Sequence, residues 1–154
     1  RESFDVHAVA EQAVETNAGY ARQYGVTVAL EERHSPVLAT ADPVRAGQVI
    51  VNLLSNAVKF SPPGRPVHVR VRDVGGAIRT TVIDEGPGIP DHAREMIFER
   101  FQQLDGGSTR EKDGSGLGLA IARAMAEGLD GVVDFESVVG EGTTFYLDLP
   151  TADS

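Results

Sequence analysis

One segment, ADPVRAGQVIVNLLSNAVKF, constrains the rest of the chain more than any other. Its apolar residues Val49, Ile50, Leu53, Leu54, Ala57 and Val58 recur at helical spacing and make a broad face. Asp42 is placed to cap the helix. Pro43 falls at the first helical position, where a missing N–H costs nothing. The helix is expected to run from 42 to about 60 and to stop before the turn SPPG. A face this broad belongs in a core, yet Asn52 and Asn56 sit one turn apart within it. Asn is a poor helix former, because its side chain competes for backbone hydrogen bonds.

The elements around this helix set the fold class. Residues 5–24 read as a second helix, capped by Asp5 and ended by Gly25. VTVAL and PVLAT read as short strands. Strands are expected at 67–73 and 77–83, joined through Gly75-Gly76, a hairpin signal. After DEGPGIP comes a short helical piece at 93–98, then a long polar, Gly-rich loop at 102–113. LGLAIARAMAEG reads as a helix, and GVVDFESV and TTFYLDL as two closing strands. This mixture argues an α+β, two-layer α/β sandwich. About five strands form a mixed, mostly antiparallel sheet, covered on one face by about three helices.

Composition narrows the function. With 154 residues, 41% of them hydrophobic, the chain is the size of one ordinary domain with its own core. A formal net charge of -9 repels phosphate backbones, so no nucleic-acid partner is expected. The absence of cysteine excludes disulfides, thiolate metal sites and a Cys nucleophile. No apolar run is long enough to span a bilayer, and no signal peptide opens the chain. It begins with Arg1 rather than Met, so a piece of a longer protein is expected.

Three local patterns carry chemistry. Gln48, Asn52, Asn56 and Lys59 form one polar stripe along the central helix. Amides plus one Lys suit a polyanion and its metal ion. An Asn carbonyl can ligate Mg2+, and Lys supplies a point charge to phosphates. The plainer reading is two ordinary surface Asn residues. DEGPGIP follows a strand; Gly86 and Gly88 allow a sharp turn, and Asp84 at the strand end can accept from a base amino group. The plainer reading there is a turn. GSGLGLAIARAM leads from a Gly-rich loop into a helix, whose N-terminal N–H groups bind phosphate without a basic side chain. It matches neither the P-loop pattern nor the opening unit of a dinucleotide-binding fold.

Taken in order, these patterns resemble the ATP-binding catalytic domain of sensor histidine kinases. That domain belongs to the superfamily that includes DNA gyrase and mismatch-repair ATPases. NLLSNAVKF resembles the family's N box, DEGPGI its first glycine box, IFERF its F box, GSGLGL its second glycine box, and GEGTTFYLDLP its closing strand. The resemblance covers nearly the whole chain, from about residue 3 to 150. It implies ATP and Mg2+ as cofactors, with Asn56 as metal ligand. Asn52 is implied on the phosphate side, Lys59 on the phosphates and Asp84 on the adenine amino group. Gly86, Gly88 and Ile89 would shape the pocket floor. Gly114, Gly116 and Gly118 would lie beside the phosphates, with Ser115, Leu117 and Leu119 between and after them. Phe98 and Phe101 would anchor a lid, Arg110 would reach the terminal phosphate, and Thr143 and Thr144 would line the adenine pocket.

The resemblance also separates kinase from ATPase. Hydrolysing relatives carry Glu one turn before the metal-binding Asn; here Asn52, which cannot take a proton, stands there. This favours phosphotransfer to a His over hydrolysis, with a nucleotide-sensing module as a non-enzymatic alternative. None of His7, His34, His68 and His92 has the surroundings of the family's acceptor His. The implied partners are the protein's own dimerisation and phosphoacceptor domain and a response regulator or receiver domain. A monomeric cytoplasmic domain is expected, from a parent that is membrane-anchored or not. Three positions depart from common family patterns: Glu85 in place of Asn, Gln102-Gln103 in place of an Arg, and Leu129-Asp130-Gly131 in place of His-Gly-Gly.

Overall fold

The central helix forms as its pattern requires. In the computed structural model, which describes residues 1–93 and 115–152 (side chains excepted at 115–118), it spans Pro43–Phe60. Asp42 Oδ1 accepts the N–H groups of Val44 and Arg45 at 3.0 and 3.2 Å, satisfying two of the first-turn donors. The first helix is capped the same way: Asp5 Oδ1 accepts from His7 N–H at 3.1 Å. It does not run unbroken to residue 24. It divides at the buried Asn17 into α1 (Val6–Thr16) and α2 (Ala18–Gln23). With the central helix as α3, the last helix is α4 (Ser115–Glu127).

The strands are β1 (Glu2–Asp5), β2 (Thr27–Leu30), β3 (Leu38–Ala41), β4 (Pro66–Asp73), β5 (Ala77–Asp84), β6 (Val132–Val138) and β7 (Gly142–Pro150). The main sheet has five strands in the order β2-β4-β5-β7-β6. β2 pairs parallel with β4 and every other pairing is antiparallel, so the sheet is mixed and mostly antiparallel. The expected hairpin is present: Gly75 and Gly76 have φ of 90° and 87°, and Val74 N–H closes the turn on Ala77 O at 2.9 Å. β1 was not expected from the sequence. It pairs with β3 as a separate two-stranded ribbon, whose Ala39 bridges to Thr151.

The helices cover one face of this sheet. α1 packs on β2, β4 and β5, α3 on β5 and β7, and α4 on β6; α3 lies between α1 and α4 and touches both. The core follows from alternation along the strands. Ile78, Val82, Val133, Phe135, Phe145, Leu147 and Leu149 are buried toward the helices and meet Val49, Ile50, Leu53, Leu54 and Leu119. Each such side chain contributes about 1.5–3 kcal/mol when fully buried. Phe60, the last residue of α3, stacks on Phe145 of β7 at 6.4 Å between centroids, and Phe145 meets Phe135 at 5.9 Å. These aromatic contacts pin the C-terminal end of α3 above the ends of β5 and β7.

The short helical piece expected at 93–98 falls mostly outside the described residues; within them, a 3-10 turn covers Asp91–Ala93. The loop at 102–113 lies outside them altogether.

Candidate functional site

The site is built where β5 ends beneath the last turns of α3. Asp84 closes β5 on its buried face, directly opposite Thr143 at the start of β7. Its Oδ1 accepts the N–H of Gly86 at 2.8 Å and that of Thr143 at 3.2 Å. Its Oδ2 is buried and has no partner among the described residues. A carboxylate oxygen without a donor is costly in a protein interior. Burial pushes the Asp84 carboxyl above its ordinary range, and the two backbone N–H groups pull it part of the way back. An N–H donor from a ligand fits this oxygen.

The chain after Asp84 approaches the helix closely. A methyl added at Gly86 would overlap the backbone carbonyl oxygen of Phe60, so only glycine lets the loop pass under α3. Gly88 has φ +84° and abuts Val138 at the end of β6. Ile89 is half-buried and packs against the core.

The expected polar stripe on α3 is present, but it winds. Steps of four residues advance about 40° around a helix. The stripe therefore turns from exposed Gln48, through half-buried Asn52, to Asn56, which is 3% exposed. Half-buried Lys59 follows in the last turn. Asn56 Nδ2 donates to the Asn52 backbone carbonyl at 3.0 Å, which orients the amide, and Asn56 Oδ1 is left buried without a donor among the described residues. Gln48 and Asn52 line a cavity of about 510 Å³ between α1 and α3, together with Val9 and Ala13. From Phe60 back to Asn52 is about 12 Å along the helix axis. That distance suits a nucleoside at the Asp84 end with its phosphates extending toward Asn52.

Mg2+ fits the donor set. It takes oxygen ligands, keeps several waters, and is commonly held by one or two protein groups plus substrate phosphates. Asn56 Oδ1 is an orphaned carbonyl oxygen of that kind. The described residues contain no cluster of three His, Cys, Asp or Glu side chains that would form an all-protein cage.

Two assignments are corrected. Thr144 does not line this pocket. Successive strand residues point to opposite faces, so Thr143 faces Asp84 and the helices, while Thr144 faces outward with Tyr146 and Asp148. On that outer face Asp148 forms a two-pronged ion pair with Arg79, at 2.8 and 2.9 Å. Leu119 belongs to the core: it is 0% exposed among apolar neighbours, and packing accounts for it. The backbone of Ser115, Gly116, Leu117 and Gly118 forms the first turn of α4, beside α3. Phe98, Phe101, Arg110 and Gly114 lie outside the described residues. Glu85 is engaged by Arg65, which donates to it at 2.7 Å. One residue was missed from the sequence. Ser137 of β6 accepts the Ile89 N–H at 2.7 Å and contacts Thr143 Oγ1 at 2.8 Å. Its only sequence signal was a place five residues before the GTTF stretch.

Comparison with known proteins identifies the family. The family described as histidine kinase-, DNA gyrase B- and HSP90-like ATPase matches residues 41–153. A circadian input-output histidine kinase, CikA of Synechococcus elongatus, is 44% identical over 110 residues. That match covers 71% of this chain and 15% of the relative. The mycobacterial sensor histidine kinase MprB superposes with a TM-score of 0.76 at 29% identity, covering 99% of both chains. Full-length ShkA, solved in complex with AMPPNP, superposes with a TM-score of 0.78 at 31% identity, over 99% of this chain and 31% of that one. The chain thus spans only a small part of the longer kinases it matches. It belongs to the histidine kinase-, DNA gyrase B- and HSP90-like ATPase family and is an ATP-binding catalytic domain of the histidine kinase type.

Proposed function

We propose that this domain binds Mg-ATP and donates the γ-phosphate to a histidine on a separate helical dimerisation domain of its own longer protein, with a response regulator or receiver domain as the next acceptor. The observation that carries the nucleotide part is the buried, unpartnered Asp84 Oδ2 at the end of β5. An adenine amino group is a donor of the right kind for it. That the related ShkA was solved with AMPPNP supports the same choice of ligand.

The residues divide the work along α3. Asp84 holds the base, Asn56 Oδ1 would hold Mg2+, and Lys59 in the last turn offers positive charge to the phosphates. Bound there, Mg2+ supplies neutralisation of charge on the phosphate oxygens. Asn52 offers an amide where a general base would be needed to activate water, so the domain holds the phosphates without promoting hydrolysis. In the transfer step, a neutral imidazole nitrogen attacks the γ-phosphorus in line. The bond to the β,γ-bridging oxygen breaks, ADP leaves, and the imidazole N–H proton is released.

The test combines this chain with the acceptor-bearing segment of its parent and ATP labelled at the γ-position. The expected product is an acid-labile, alkali-stable phosphohistidine on the added segment. Rapid release of free phosphate by this chain alone, unchanged by Asn52→Ala, would replace phosphotransfer with an ATPase cycle.

A further inference from the structure

Three side chains stand in one row across the helix-covered face of the sheet: Asp84 on β5, Thr143 on β7 and Ser137 on β6. Thr143 is the direct cross-strand partner of both others. Ser137 is held on three sides. Its Oγ accepts the Ile89 N–H at 2.7 Å, lies 3.0 Å from the carbonyl oxygen of Gly142, and lies 2.8 Å from Thr143 Oγ1.

A serine hydroxyl has one proton and two lone pairs. The Gly142 carbonyl carries no proton, so its contact is attractive only if Ser137 donates to it. The Ile89 N–H occupies one lone pair of Ser137. The other is then left for the proton of Thr143. This assignment satisfies all three contacts at once. The reverse would leave two bare oxygens 3.0 Å apart. Thr143 therefore spends its proton on the β6 side and keeps only lone pairs to offer a ligand, beside its β5 partner Asp84, whose Oδ2 has no partner among the described residues.

We propose that Ser137 is a specificity-determining residue: by fixing Thr143 as an acceptor, it makes this wall of the pocket present acceptors only. The inference rests on the nucleotide-binding reading above. Such a wall suits a base with an exocyclic amino group, met directly or across one water. It disfavours a base that places a carbonyl oxygen there, because the buried oxygens would face each other unpaired. Ser137 also ties down the loop that carries Gly86, Gly88 and Ile89, but that purely mechanical role would change affinity for all nucleotides alike.

The test is calorimetric binding of Mg-ATP and Mg-GTP to the wild type, Ser137→Ala, Ser137→Thr, Thr143→Val and the double variant Ser137→Ala/Thr143→Val. Ser137→Ala is expected to narrow the preference for ATP over GTP by about three- to tenfold, the worth of one net hydrogen bond. Ser137→Thr, which keeps the hydroxyl, should restore the preference. With Val at 143 there is no hydroxyl to orient, so adding Ser137→Ala should leave the ratio unmoved. An unchanged ratio in Ser137→Ala, or equal losses for both nucleotides, would overturn the proposal and leave nucleotide binding standing. A wild type that binds no ATP would overturn the underlying reading instead. Should alanine unfold the β6–β7 hairpin, Ser137→Cys gives the same comparison, since a thiol is a weak donor and acceptor.

Discussion

Asp84 and Thr143 face each other directly across β5 and β7. The backbone N–H of Thr143 donates to one carboxylate oxygen of Asp84 at 3.2 Å, while the other, equally buried oxygen has no donor among the described residues. One half of the carboxylate thus belongs to the fold and the other half is left for a ligand. The two halves make separable predictions.

Asp84→Asn tests both. Burial raises the folded-state pKa of this carboxyl above its unfolded value, so the folded chain holds the proton more tightly. Its contribution is therefore favourable at low pH and is lost as pH rises from the ordinary carboxylate range through the raised pKa. Above the raised pKa the ionised group works against the fold. Asp84→Asn is expected to make the ligand-free domain more stable at pH 7, by about 1 kcal/mol, and to narrow the pH dependence of stability. ATP affinity should fall at least about tenfold. Denaturant titrations at pH 4 and pH 7 with paired calorimetry check this; a variant less stable than wild type at both values would contradict it.

Asn56→Ala probes the metal. It removes one hydrogen bond to the Asn52 carbonyl but also a buried acceptor that has no donor. Stability should change by less than about 1 kcal/mol, because the two effects oppose each other. ATP affinity measured with Mg2+ should drop about tenfold or more, and affinity in chelator should drop much less. Equal losses under both conditions would remove Asn56 from the metal site.

Gly86→Ala separates close approach from backbone strain. A Cβ at Gly86 meets the Phe60 carbonyl oxygen, and the backbone of α3 cannot yield cheaply. Gly140, in the β6–β7 turn, has φ +87° and open space around it. Gly140→Ala is expected to cost about 1 kcal/mol, the strain of the left-handed conformation alone. Gly86→Ala should cost about 2 kcal/mol or more and weaken nucleotide binding as well. Thermal denaturation of the two variants side by side decides it; similar shifts would mean the loop moves away from α3 at little cost.

The sequence by itself determined whatever one element encodes within its own length. The cap at Asp42, the buried face of α3, the placement of Asn52, Asn56 and Lys59 on one winding stripe, and the Gly75-Gly76 turn all follow from local spacing and local dihedral preference. Gly86 was legible as a sharp turn, but the reason for it, contact with Phe60, was not. Thr144 was misplaced because a two-residue motif says nothing about faces until the strand has a register. Only the tertiary structure decided that Asp84, Thr143 and Ser137 share a row, since 59 residues separate the first pair in the chain. Cross-strand partners are fixed by register, and register is fixed by packing the whole buried face at once: a slip of one residue would turn Thr143 outward and expose Phe145. The same holds for Ser137, whose role lies in three hydrogen bonds to residues that only the folded sheet brings to it.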